Sequence, residues 1–248
     1  MPSKSRGFAV IIALFLFIPG CIFAQSSRDP KDPSELSIGN WVPGHLYAGQ
    51  EYWFSVRPAG TGILTVETTG GLDTYLEAYD ASSQLIDEND DGGNNSNARL
   101  DIFVEPGITY LIKLHGFNED ETGPYSIRAL FEAAPADVGN IVRSRAVLLK
   151  QDDSIPVYIR SSSESRWYRY DLTRQKNLLI IRTTGNSDTY LKLYDSLGKL
   201  ISEDDDSGED NNALLSERLS PGTYYIEITL YTGRTGRTTI QVENWYKD

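Results

Sequence analysis

One cysteine, one methionine and two histidines are all that 248 residues hold of the soft metal ligands and the usual nucleophile partners. With Cys21 alone, no disulfide can close within the chain. Cations are scarce as well. Lys and Arg number 23 against 35 Asp and Glu, for a formal charge of −12 and a pI of about 4.7. Nucleic acid and anionic membranes both need a basic face, so this balance argues against either as a partner. Beyond residue 24 no apolar run of helical period is long enough for a transmembrane segment. The Gly-x-Ser-x-Gly, His-Glu-x-x-His and phosphate-loop motifs are missing too. His45, read in a "PGHLYAG" turn, and His115, read at a strand end, do not occupy equivalent places in the sequence repeat described below. No catalytic residue is assigned, and the chain reads as not an enzyme.

The amino terminus has its own logic. Lys4 and Arg6 precede the apolar run Phe8 to Ile18, too short to span a bilayer, and Pro19-Gly20 then ends it. Residues 1–24 read as a signal peptide with cleavage after Ala24, which would leave the mature chain at −14. The alternative is a lipid anchor at Cys21, since "IPGC" loosely resembles a lipobox although Pro19 fits it poorly. Either way the protein is expected to be exported, to the periplasm or beyond.

What is abundant is repetition. "DTYLEAYD" (Asp73 to Asp80) returns as "DTYLKLYD" (Asp188 to Asp195), 115 positions later. The same offset superposes Thr68-Thr69-Gly70 on Thr183-Thr184-Gly185, and Asn97-Ala98 on Asn212-Ala213. A period of this length is a whole domain, because solenoid units run ~20–50 residues. After Pro106-Gly107 the offset must drop by one, with Ile108 as an extra residue. Only then do Tyr110, Ile112 and Leu114 share a face with Tyr224, Ile226 and Ile228, since a one-residue slip swaps the faces of a strand. Short alternating segments rich in Tyr, Val, Ile and Thr, separated by Gly, Pro, Asn and Asp, predict an all-β chain. The expected architecture is two tandem antiparallel β-sandwich, jelly-roll-like domains of seven or eight strands each. Their boundaries are read as a mobile leader at 25–35, a first domain at 36–131, a linker at 132–140 and a second domain at 141–248.

Two acidic loops follow the repeated octapeptides, "DENDDGGNNSN" (Asp87 to Asn97) and "SEDDDSGEDNN" (Ser202 to Asn212). Clustered carboxylate and amide oxygens suit Ca²⁺, which takes six to eight hard oxygen ligands. The candidate ligands are Asp73, Asp87, Asn89, Asp90 and Asp91 in the first copy, and Asp188, Asp204, Asp205, Asp206 and Asp210 in the second. The competing reading is a solvated turn, in which Asp and Asn accept hydrogen bonds from turn amides.

Together these motifs resemble the bacterial pre-peptidase C-terminal (PPC) domain. The first copy shows Asp73 to Asp80, then Asn89 to Asp91, Pro106 to Tyr110 and Gly123 to Tyr125. The second shows Asp188 to Asp195, Asp204 to Asp206, Pro221 to Tyr225 and Gly236 to Thr238, where Thr238 departs from the family's Tyr. The resemblance implies a β-sandwich usually appended to secreted peptidases, some relatives binding collagen, polysaccharide or Ca²⁺. No peptidase accompanies it in this sequence. The function expected is therefore a non-catalytic binding protein for a protein or polysaccharide ligand. The alternative is an accessory subunit of an envelope or secreted-protease complex. Among aromatics, Tyr52 is aligned with Trp167 and Trp53 with Tyr168, and these read as core. Trp41 and Trp245 have no counterpart and are the candidate ligand-binding or interdomain residues.

Overall fold

The computed structural model describes residues 26–174 and 177–246. The segment read as a signal peptide, the expected cleavage site and Cys21 lie outside the described residues. The first half supplies β1 (Ser34–Glu35), β2 (Val42–Leu46), β3 (Tyr52–Val56), β4 (Gly62–Gly70), β5 (Thr74–Tyr79), β6 (Leu85–Asn89), β7 (Arg99–Val104), β8 (Tyr110–Gly116) and β9 (Gly123–Ala133). The second supplies β10 (Val147–Leu149), β11 (Ser154–Ile159), β12 (Arg166–Leu172), β13 (Asn177–Thr184), β14 (Thr189–Tyr194), β15 (Leu200–Asp204), β16 (Leu214–Leu219), β17 (Gly222–Leu230) and β18 (Gly236–Tyr246).

Strand order repeats element for element. In the first half β1-β3-β8-β5-β6 face β2-β9-β4-β7, and in the second β10-β12-β17-β14-β15 face β11-β18-β13-β16. Each pair of sheets closes on one apolar core, centred on Phe54, Leu76, Ile112 and Leu114 in one domain and on Ile181, Leu191, Ile226 and Ile228 in the other. The alternation that predicted the strands is the alternation of burial: in β5 and β14 every second residue, from Thr74 and Thr189 onward, is buried. The chain is all-β, as expected, and its two domains are sandwiches. No described helix is long and apolar enough to cross a membrane.

The structure differs from the sequence reading in four places. Each domain has nine strands, because the short edge strands β1 and β10 add to the sheets and run parallel to β3 and β12. The segment read as a leader is joined to the fold. Ser27 O accepts from Trp53 N–H at 2.7 Å, and Ser26 Oγ meets the Tyr125 hydroxyl at 3.0 Å. His45 lies not in a turn but within β2, opposite Pro124. Pro43 and Gly44 hide that strand in the sequence. Gly44 is needed because the Tyr125 ring fills the place of a Cβ, 2.4 Å away. Finally, the tryptophan alignment shifts by one. Trp53 stands opposite Lys113 and Trp167 opposite Glu227, so the two tryptophans are equivalent. Tyr52 and Tyr168 are core, whereas Trp53 and Trp167 lie half-buried on the outer face. There they pack on the equivalent Tyr79 and Tyr194, ring centres 5.4 and 5.5 Å apart. The Ile108 insertion stands: Tyr110 pairs with Val56 as Tyr224 pairs with Tyr170.

Beyond β9 the connecting segment is held against the second domain. The buried Arg166 donates to Asp137 (2.6 Å), Asn140 (3.3 Å) and Tyr158 O (2.8 Å), and pairs with Glu164 (2.5 Å). The domains also touch directly. Ile63 and Phe103 of the first pack on Tyr158 of the second, Arg234 pairs with Asp87 at 3.0 Å, and Asn186 donates to Asp101 at 3.4 Å.

Candidate functional site

The second residue of the repeated octapeptide is a threonine whose side chain is fully buried in both copies. Thr74 Oγ1 meets Thr68 Oγ1 at 2.6 Å, and both accept from Ala98 N–H at 3.0 Å. Thr189, Thr183 and Ala213 repeat this arrangement. Since Thr68 and Thr74 belong to opposite sheets, the pair pins the sandwich at one end. Thr74 N–H also donates to Ser96 O (3.1 Å), and Thr189 N–H to Asn211 O (3.3 Å). Each of these bonds is therefore flanked by one acid and one amide, Asp73 with Asn97 and Asp188 with Asn212.

At those flanks the acceptors lack donors. Asp73 Oδ1, Asn97 Oδ1, Asp188 Oδ1 and Asn212 Oδ1 are all buried without a hydrogen-bond partner. The amide ends of both asparagines are engaged: Asn97 Nδ2 donates to Gly70 O and Asn94 O, and Asn212 Nδ2 to Gly185 O and Glu209 O. Burial and the charges of Asp91 and Asp90 raise the Asp73 pKa from its ordinary value. Burial and Asp206 raise Asp188, Arg234 opposes, and Asp205 adds to the rise. A buried acceptor with no donor costs ~1–3 kcal/mol, and a hard cation is what a set of bare oxygens accommodates.

The other candidates divide. Asn89 and its equivalent Asp204 shape the turns: Asn89 Oδ1 accepts from Gly92 and Arg99 amides, and Asp204 Oδ2 from Ser207 (3.1 Å) and Leu214 (2.7 Å). Asp87 is drawn away to Arg234. Asp210 is exposed with φ +50° and faces a groove between the domains. At the far end of the octapeptide, Asp80 and Asp195 do accept from turn amides, Ser82 and Gln84, Leu197 and Lys199, at 2.8–2.9 Å. Among the described residues no three His, Cys, Asp or Glu side chains converge to hold a metal by themselves. A cation here would therefore need the asparagine and backbone oxygens as well.

Residues 164–230 match the family model described as the bacterial pre-peptidase C-terminal domain. That match lies within the second domain. This PPC match covers the repeated octapeptide, the acidic loop and the Pro-Gly turn of the second copy. Among solved structures, the chain is similar to the pre-peptidase C-terminal domain of a collagenase from Bacillus anthracis, at 12% identity and a TM-score of 0.35, covering 42% of this chain and 99% of that one. It is also similar to a periplasmic lysozyme inhibitor of g-type lysozyme from Aeromonas hydrophila, at 12% identity and a TM-score of 0.34, covering 40% and 95%. Tripeptidyl peptidase 2 aligns at 9% identity and a TM-score of 0.29, over 86% of this chain and 24% of that one. No curated protein sequence matches the chain.

Outside the acidic loops, the histidines have no serine among their described partners. His115 Nε2 faces Glu77 at 3.2 Å and its Nδ1 faces Gly116 O at 2.8 Å, while His45 packs against the Tyr47 ring at a tilt. Trp245 is 62% exposed near the end of β18, its indole N–H on Glu243 at 3.2 Å. Trp41 is 39% exposed and carries the Arg128 guanidinium 4.3 Å above its ring, at the mouth of a groove of about 860 Å³. Arg128, Asn97, Asn212 and Arg234 escaped the sequence reading as site residues. Only the two asparagines left a signal, as identities within the repeat.

Proposed function

We propose that the protein is an exported, non-catalytic binding protein built from two PPC modules, the first domain included. It binds a protein or polysaccharide at or outside the cell envelope, and Ca²⁺ orders its acidic loops. The observation that supports the metal is the orphaned Asp–Asn oxygen pair, Asp73 with Asn97 and Asp188 with Asn212, appearing identically in both copies. Oxygens left bare once are an accident of packing. Oxygens left bare twice, beside two Asp-Asp loops whose charges at Asp90, Asp91, Asp205 and Asp206 raise the neighbouring carboxyls, support the reading of a cation there. The extension to the first domain rests on its identical strand order and Thr–Thr–Ala pin. Export rests on residues 1–24.

Thermal unfolding in EDTA, then in millimolar Ca²⁺ with Mg²⁺ as control, tests the metal. A ligand at ~100 times its dissociation constant adds ~2.7 kcal/mol, or several degrees in the midpoint for domains of this size. The rise should be specific to Ca²⁺ and absent in an Asp73→Asn, Asp188→Asn double variant. An unchanged midpoint would return both loops to solvated turns.

A further inference from the structure

Between the domains runs a groove of about 860 Å³, within the ~300–1,000 Å³ typical of small-ligand sites. It exists only in the tandem, because its walls come from both copies. The first domain contributes Trp41, Thr68, Thr69 and Asn94, and the second Asn186 and Asn211. We propose that this groove binds a neutral oligosaccharide chain, with Trp41 as the platform under a sugar ring.

Four features select that ligand class. Trp41 is presented to solvent yet fixed in place, since Arg128 covers one face of the indole and is itself anchored on Glu67. The exposed part of the ring is preorganised for a flat apolar surface, such as the C–H face of a pyranose. The walls are rich in exposed amides. Asn94, Asn186 and Asn211 each bring donors and acceptors together, the complement of vicinal hydroxyls. The groove's arginines are already committed, Arg99 to Glu67 (3.5 Å) and Asp101 (3.4 Å), and Arg128 to Glu67. No cation is left over for an anionic glycan, and the rim acids Asp90, Asp91 and Asp210 would repel one. Trp41 is also specific to one copy: its place before β2 is taken by Ser154 in β11, so the duplication itself did not require an indole. This proposal names the ligand class within the binding-protein reading and does not depend on the metal.

The test is calorimetric titration of the purified full chain with neutral hexasaccharides: β-1,4-, β-1,3- and α-1,4-glucans and β-1,4-linked N-acetylglucosamine. Oligogalacturonate and hexalysine serve as anionic and cationic comparisons, and every titration is run in EDTA and in Ca²⁺. At least one neutral hexasaccharide should bind. Trp41→Ala should weaken it about tenfold or more, Asn186→Ala on the opposite wall should weaken it several-fold, and Trp41→Phe should keep most of the affinity. Trp245→Ala, outside the groove, should change nothing. The proposal is overturned if no neutral hexasaccharide binds, if binding survives Trp41→Ala, or if only oligogalacturonate or hexalysine binds. Sugar binding without a Ca²⁺-dependent midpoint would uphold the groove and reject the metal, so the two failures are distinguishable.

Discussion

At the scale of single residues, the repeated Asp-Thr pair divides its labour. The threonine holds the sandwich together and the aspartate leaves an oxygen bare. Thr189→Val keeps the volume but strips Ala213 N–H of one of its two hydroxyl acceptors and Thr183 of its partner. It should cost about 1–3 kcal/mol in urea unfolding, with or without Ca²⁺. Asp188→Asn should behave differently. The Asp188 pKa is raised, so the native state holds the neutral form better than the unfolded chain does, and ionisation near pH 7 opposes folding. The amide should therefore be at least as stable as wild type in EDTA and less stable in Ca²⁺. Equal loss in both solutions would sink the cation reading. This division was half legible in the sequence. Identity between copies marked both residues, but the reason Thr189 is buried lies in an amide 24 positions away, which no local pattern reveals.

At the scale of elements, strands announced themselves wherever burial alternates strictly, as in β5, β14 and the inward face of β8. They stayed hidden where a backbone need overrode the side-chain pattern. β2 is interrupted by proline and glycine, and β1 is two residues long with one exposed. Tertiary pairing makes those strands, and pairing is not written locally. Deleting residues 26–35 therefore removes β1 and the Ser27–Trp53 and Ser26–Tyr125 hydrogen bonds. The denaturation midpoint should fall, corresponding to about 1–3 kcal/mol; a detached leader would leave it unmoved. The loop glycines were legible as turn residues but not for their actual duty. A Cβ on Gly93 would meet Asn97 O at 2.5 Å, and one on Gly208 would meet Asn212 O at 2.4 Å. Gly208→Ala should thus cost about 1–3 kcal/mol by overpacking. It should also disturb the Asn212 side-chain oxygen, so any Ca²⁺ response should drop along with stability.

At the scale of the whole molecule, the contact between domains is charged as well as apolar, and charge makes it sensitive to pH. Burial pushes the Asp87 carboxyl up to about 6, although Arg234 at 3.0 Å and the Glu88 amide at 2.9 Å work against that; the charges of Glu88 and Asp101 add to the rise. A carboxyl whose folded pKa lies above its unfolded value of about 4 binds protons more tightly when folded. Stability therefore falls as pH rises from about 4 to about 6, and the loss is complete above that window. Other acids run the opposite way: Asp137, held down chiefly by Arg166, contributes stability that is lost as pH falls. Only a difference between variants isolates the Asp87 contribution. Urea midpoints of wild type and Asp87→Asn, taken between pH 4 and 7, should converge at the acid end and separate toward neutrality, with the amide the more stable. Parallel profiles would mean that Arg234 keeps Asp87 ionised throughout, and the domain contact would then be an ordinary ion pair. The same titration bears on the groove, because Asp87 and Arg234 lie beside the Asn186–Asp101 hydrogen bond that helps set the spacing of its walls. Protonating Asp87 removes the charge that pairs with Arg234 across the domains, so oligosaccharide affinity in EDTA should be weaker at pH 5 than at pH 7 if that ion pair holds the walls.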